Sequence, residues 1–286
     1  MYMQTSNRFF RNFGAVAGLA AGVLLCSPAL AAGDAPNILT DAFQLSVGTF
    51  AFTNETEIRF DGDTISGTPV DWEDTFGGGD QTRFRVDGHW RFGDSGRHKL
   101  RFMWFNSSHS GSKVLEEDIN FGDETFPVDA KVRAESGFDI YQLAYEYAFL
   151  KRDTYELDGS IGLHYASLSS SLSAKASTSG GNLEGDIKRE SSVDAPLPVI
   201  GLRGLWALPH NFFIDAGAQF FALSIDQYDG NLQDYRVMVT WQPKKWLGIG
   251  LGYNQFNVDL DVDGDKLNGN LNWKYRGPML SYSAVF

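Results

Sequence analysis

From about residue 40 onward the chain alternates. Residues 82–92 set Phe84, Val86, Trp90 and Phe92 against Arg83, Arg85, Asp87, His89 and Arg91 at every second position. Residues 140–149 set Tyr141, Leu143, Tyr145, Tyr147 and Phe149 against Gln142 and Glu146. In 155–166 the apolar set is Tyr155, Leu157, Ile161, Leu163 and Tyr165, opposed by Glu156, Asp158 and His164. Asp215 and Gln219 oppose Phe212, Ile214 and Phe220, and Asp234 and Arg236 oppose Tyr235, Val237, Val239 and Trp241. A period of two is the mark of a strand with one apolar face; helical spacing is nearly absent.

A soluble β-sandwich alternates too, with its apolar face inward. Three features favour a membrane barrel. The alternating segments run about 10 to 14 residues, the length tilted membrane strands need. Connections alternate between tight (93–96, 151–153, 208–211, 242–245) and long, polar ones (53–79, 109–137, 174–193). Aromatic residues cluster beside the tight turns (Trp90, Phe92, Tyr147, Phe149, Tyr155, Trp206, Phe212, Trp241, Trp246). A second set stands near the opposite strand ends (Trp104, Tyr141, Tyr165, Phe220, Tyr235, Tyr253, Tyr275). Rings at two membrane–water interfaces form such girdles. The predicted fold is therefore all-β: a transmembrane, antiparallel, up-and-down barrel. Its strands lie near 42–52, 81–92, 98–108, 138–150, 154–168, 196–207, 211–225, 231–242, 245–258 and 270–286. Ten puts both chain ends on the periplasmic side. Eight results if the first pair is misread. Twelve needs strands at 55–60 or 125–133, which are too polar to face lipid and more naturally extend strands above the membrane.

The chain ends bear on where such a barrel resides. Residues 1–31 read as an export signal: Arg8 and Arg11, an apolar run from Gly14 to Cys26, then Ala29 and Ala31 in a small-x-small cleavage pattern. The organisation is then a signal peptide, 1–31, and one barrel, 32–286, destined for a Gram-negative outer membrane. At the other end Leu280, Tyr282, Ala284 and Phe286 share a face. Tyr282 and the terminal Phe286 resemble the carboxy-terminal signal read by the outer-membrane assembly machinery. With 24 Lys and Arg against 36 Asp and Glu, the net charge is −12, which argues against a nucleic-acid partner. The single cysteine, Cys26, falls inside the predicted signal, so no disulfide framework is expected.

Further motifs are Val70-Asp-Trp-Glu-Asp74, His89-Trp-Arg-Phe-Gly93 and Ala195-Pro-Leu-Pro-Val-Ile-Gly-Leu-Arg-Gly204. To these add Leu247-Gly-Ile-Gly-Leu-Gly-Tyr-Asn254 and Gly277-Pro-Met-Leu-Ser-Tyr-Ser-Ala-Val-Phe286. In this order they resemble a largely uncharacterised family of Gram-negative outer-membrane barrels. The resemblance implies the fold and brings no reaction with it.

Chemistry must then come from individual residues. Barrel lipases and deacylases resemble one another in pairing a His with a Ser two residues on; here those positions hold Arg91, Leu100, Gly111, Ala166 and Phe212. No catalytic residue is assigned. The interior face carries Arg83, Arg85, Asp87, His89, Arg91, Lys99, Arg101, Glu146, Asp158, Arg203, Asp215, Asp234 and Arg236. A ten-stranded barrel is narrow, so opposite charges on facing walls are expected to form a cross-lumen network that plugs it; a narrow conductive pore is the alternative. Asp259, Asp261, Asp263 and Asp265 match the start of a calcium loop, but Asn270 stands where that loop needs its Glu. That leaves a solvated acidic turn or a weak Ca or Mg site, with no other cofactor. Asp61, Asp63, Asp71, Glu73, Asp74, Glu116, Glu117 and Asp118 add an acidic external rim. The expected protein is non-enzymatic, a small porin-like or structural barrel in contact with outer-membrane lipid and lipopolysaccharide. Its alternative is a surface hydrolase acting on lipid or peptide. Oligomeric state is not legible.

Overall fold

A computed structural model describes residues 36–174, 186–225, 228–264 and 267–286. The predicted signal segment and Asp265 lie outside the described residues. Ten long strands form one antiparallel sheet, each bonded to its neighbour: β1 (Phe43–Asp61), β3 (Asp80–Phe92), β4 (His98–Val114), β7 (Lys131–Lys151), β8 (Tyr155–Ala174), β9 (Ile187–Leu208), β10 (Phe212–Ile225), β11 (Tyr228–Lys244), β12 (Leu247–Gly264) and β13 (Leu267–Val285). Pairing of β1 with β13 closes the sheet, with Gln44 opposite Val285 at one end and Asp61 opposite Asn268 at the other. Backbone bonds between Phe43 and Phe286 in both directions finish the closure. The short elements β2 (Val70–Asp71), α1 (Trp72–Phe76), β5 (Ile119–Phe121) and β6 (Glu124–Phe126) belong to the long connections.

The ten predicted strands are all present, but most are longer than alternation suggested. Residues 55–60 continue β1 and residues 131–133 open β7, while 124–126 form the short β6. A membrane strand needs about 9–11 residues; β7, β8 and β9 have 21, 20 and 22. About half of each therefore stands beyond the lipid. We call the end that carries Phe43 and Phe286 the lower end. Two of its turns are tight because the chain enters the left-handed region, at Gly93 and Gly96 and at His210 and Asn211.

Polarity inverts along β7, β8 and β12. In the lower half Leu143, Tyr145, Ile161, Leu202, Val239 and Leu251 point outward and are exposed, while Glu146, Asp158 and Arg203 point inward and are buried. In the upper half of β7, Val132, Ala134, Phe138 and Ile140 are the buried inward residues, and Arg133 and Glu135 face out. The geometric period never breaks; the apolar set changes from odd to even positions between Ile140 and Tyr141. The same change separates Tyr253 from Phe256 in β12 and Tyr165 from Leu168 in β8. Where it occurs, the solvent outside the wall changes from hydrocarbon to water. Phe212 to Phe220, from lower to upper girdle, spans eight residues, roughly 20 Å of height once tilted. One girdle assignment needs correction. Tyr275 was expected among the upper outer rings, but it is fully buried inside, because odd positions of β13 face the lumen.

Two seams are incomplete. The β3–β4 ladder stops at Arg85–Phe105. Above it Arg83 bridges to Ser107 Oγ at 3.2 Å and to the Ser108 carbonyl at 2.5 Å. The end of α1 covers the rest: a Cβ on Gly111 would stand 2.0 Å from the Phe76 carbonyl oxygen. The β9–β10 ladder stops at Ile200–Phe220, although β9 extends upward to Ile187 and β10 to Ile225. The next even positions on β9 are Pro198 and Pro196. The β8–β9 ladder runs unbroken through both. Their missing N–H groups thus belong to the β10 side, and the seam ends where its donors end.

Candidate functional site

The interior is filled in layers. At the lower end Ile38 and Leu39 pack against Leu205, Phe213 and Val285. Above them lies a charged layer built from inward positions of seven strands. Arg91 holds Glu156 through two bonds, at 2.9 and 3.0 Å. Lys99 Nζ lies 2.6 Å from Glu156, 2.5 Å from Asp158 and 3.7 Å from Glu146. Glu146 also accepts from Arg101 at 2.7 Å and Arg203 at 3.1 Å, and Arg203 reaches Asp215 at 2.6 Å. Across the lumen Arg236 meets Asp87 at 2.8 Å, with Arg85 3.8 Å from the same carboxylate. Arg85 donates to Asn254 at 3.0 Å, and Asn254 donates to Asp234 at 2.5 Å. Six cations (Arg85, Arg91, Lys99, Arg101, Arg203, Arg236) thus face six carboxylates (Asp87, Glu146, Glu156, Asp158, Asp215, Asp234). The balance leaves little net field to select an ion, and each charge has a partner in place of water.

The structure places the residues selected from sequence unequally. Arg83 faces in, but one inward position above the network, and its partners are Ser107 and Ser108 rather than a carboxylate. His89 is buried with neither ring nitrogen bonded. Glu156 was missed as a site residue. Its even position, shared with Asp158, already put it on the inward face. His164 was also on the polar face; it bonds Gln219 at 2.8 Å, as does Gln142 at 2.7 Å.

Over the charged layer sits an aromatic one. Phe50, Phe52, Phe105, Phe138, Phe256, Trp273 and Tyr275 are buried together. Arg85 marks the boundary, with its guanidinium 5.6 Å from the Phe105 ring centre and 5.9 Å from that of Phe50. Above the rings lies a chamber of about 60 Å³. Its roof is a second apolar cluster, which includes Trp72, Phe76, Leu115, Phe121 and Phe126. A separate lower cavity, about 10 Å³ beside Asp87, Asp215 and Arg236, has room for one water.

The described part of the acidic run lies on a strand. Asp259, Asp261 and Asp263 are successive outward positions on β12, opposite Asn272, Asn270 and Asn268 of β13. Asn272 donates to Asp259, and Asn270 to Asp261 at 2.7 Å. Among the described residues no three His, Cys, Asp or Glu side chains gather as a metal site. Part of the expected acidic rim is engaged in hydrogen bonds, at the half-buried Glu73 and the exposed Asp118. Glu73 accepts from the Thr56 amide at 2.6 Å and from Asn54 at 2.5 Å, and Asp118 accepts from the Val128 amide at 2.7 Å. Of the terminal residues, Tyr282 and Phe286 are both exposed on the outer wall, and the Tyr282 hydroxyl donates to the Trp246 carbonyl.

No family model and no curated protein matches the chain. Solved structures do. The chain is similar to the outer membrane protease OmpT from Escherichia coli at 11% identity and a TM-score of 0.57, over 86% of this chain and 97% of that one. The toluene transporter TodX from Pseudomonas putida matches at 10% identity and a TM-score of 0.34, over 86% and 90%. The attachment invasion locus protein Ail of Yersinia pestis matches at 10% and 0.31, over 85% and 99%. At these identities the likeness concerns architecture alone. The chain has the fold of an outer-membrane β-barrel, closed by ten antiparallel strands.

Proposed function

We propose that this chain is a non-enzymatic barrel of the Gram-negative outer membrane, sealed against ion flow and presenting its upper half to the outside. The observation that carries this reading is the double closure of the lumen, by a charge-balanced network and by the aromatic layer above it. The lipid-facing band lies in the lower half, where the exposed wall is apolar, and Phe286 on that wall suits delivery by the assembly machinery. The polar upper wall stands among lipopolysaccharide headgroups. Its apolar interior supports it there as it would any water-soluble β-protein.

Planar-bilayer recording tests the closure. The wild-type barrel should give no steady conductance. Removing rings at the seal, as in Phe138→Ala with Trp273→Ala, should produce discrete openings once the network is also cut by Arg236→Ala. A stable ohmic conductance in the wild type would refute the sealed reading and favour a narrow pore.

A further inference from the structure

The chamber above the aromatic layer has no role in the closure. Its free surface is apolar, from Ile58, Phe138, Leu168, Leu260, Leu271 and Trp273. Much of its polar lining is already engaged, with His109 Nε2 the buried lining atom that has no hydrogen bond among the described residues. Asn54 accepts from Trp273 Nε1 at 2.6 Å and donates to Glu73 at 2.5 Å, and Ser107 bonds Gln81 and Arg83. A buried water requires two to four polar partners, so a cavity lined this way favours hydrocarbon over water. Its size restricts the choice. About 60 Å³ is well below the roughly 150 Å³ of an engineered cavity that holds a benzene ring. An unbranched chain end fits; a ring does not.

The incomplete β9–β10 seam supplies a route. Its ladder ends above Ile200–Phe220; Leu197, Val199 and Phe221 pack against the aromatic layer just above that pair, and the unpaired stretch reaches the level of the chamber at Ser191. Ser191 of β9 lines the chamber on the near side of this opening and Leu260 of β12 lines it beyond. The β3–β4 gap, by contrast, is bridged by Arg83 and covered by α1. We infer that the chamber binds the end of an unbranched hydrocarbon chain of an amphiphile, admitted sideways between β9 and β10 because Pro196 and Pro198 keep that seam from closing. The polar head then stays outside, beside the outward Lys188, Glu190 and Asp194 of β9. The chain could belong to a free alkanoic acid or to a bilayer phospholipid.

Trp273 reports on occupancy, since it lines the chamber and is 1% exposed. The full barrel is reconstituted in phosphatidylcholine and titrated with a terminally brominated alkanoic acid, a short-range quencher. The Trp273 contribution is the difference between wild type and Trp273→Phe; lipid-facing Trp90, Trp241 and Trp246 quench in both. Saturable quenching of that difference is expected. It should be lost in Ser170→Phe, which fills the chamber, and in Pro196→Val with Pro198→Val, which restores the seam donors. A second arm replaces the acid by phosphatidylcholine with brominated acyl chains: quenching there assigns the site to a bilayer tail, and quenching by the acid alone assigns it to a free amphiphile. A Trp273 signal untouched by both probes overturns the site. Quenching that survives Ser170→Phe overturns it as well, and quenching that survives the double proline variant overturns the lateral route. Variants are compared only where they give the heat-modifiable band; the paired wild-type and Trp273→Phe titrations decide whether the site exists, without the other variants.

Discussion

Among single residues, Lys99 carries the most. It is completely buried, and among the described residues it is the one cation bonded to Asp158, whose second oxygen has no hydrogen bond. Glu156 also has Arg91, and Glu146 has Arg101 and Arg203. Lys99→Met should therefore leave the Asp158 carboxylate buried and unpaired, lowering stability by about 3–5 kcal/mol. Arg85 is a milder case. Asp87 retains Arg236 at 2.8 Å after Arg85 is removed, so Arg85→Met should cost clearly less than Lys99→Met. Urea unfolding in lipid vesicles orders the two. The double variant Lys99→Met with Asp158→Leu should recover most of the loss, because removing both partners leaves no orphaned charge. Equal losses for Lys99→Met and Arg85→Met would mean that solvent reaches the network and screens it.

At the scale of elements, the connection between β1 and β3 depends on one side chain. Glu73, in the first turn of α1, accepts from the Thr56 amide and from the Thr56 and Asn54 side chains, and so ties the helix to β1. Hydrogen bonds to a charged group contribute about 1.5–3 kcal/mol each. Glu73→Ala should release α1 and expose Trp72 and Phe76 while leaving the lower barrel folded. Limited proteolysis should then cut within 62–79 well before the heat-modifiable band is lost; unchanged protection would show that apolar packing alone holds the cap. This anchor was not legible beforehand, since a Trp-Glu-Asp stretch in a long polar connection reads as solvated rim. The ten strands were legible because lipid on one side and charge on the other make alternation strong in the lower half. The upper half was harder. There Phe138, Phe256 and Trp273 occupy the same geometric face as Glu146, Asn254 and Ser283, but the polarity of both faces is reversed. Scanning each segment for the residue at which the apolar set changes parity would have found the membrane boundary, the apolar chamber and the inward Tyr275. The β9–β10 seam also had a sequence signal in Pro196 and Pro198. Reading it required knowing which neighbour each N–H addressed.

For the whole molecule, the division into an apolar-walled lower half and a polar-walled upper half determines how charge and lipid interact. The net charge of −12 includes the carboxylates of the upper wall, where Asp259, Asp261 and Asp263 form a row beside Asn272, Asn270 and Asn268. Alternate strand positions are roughly 6.6 Å apart, and two of these carboxylates already accept from asparagine amides. Such a row is poorly suited to gather the six to eight oxygens of a calcium shell at one point. In neutral detergent, Ca²⁺ or Mg²⁺ should then stabilise the barrel no more than sodium at equal ionic strength, because only screening operates. In lipopolysaccharide the situation differs, since phosphates of the outer leaflet face the same wall and a divalent ion can link phosphate to carboxylate. There the divalent ions should raise the unfolding midpoint above the sodium control. Asp259→Asn with Asp261→Asn should reduce that increment in lipopolysaccharide and change nothing in detergent. A calcium-specific increment in detergent, abolished by the same double variant, would instead establish a bound ion on the protein itself.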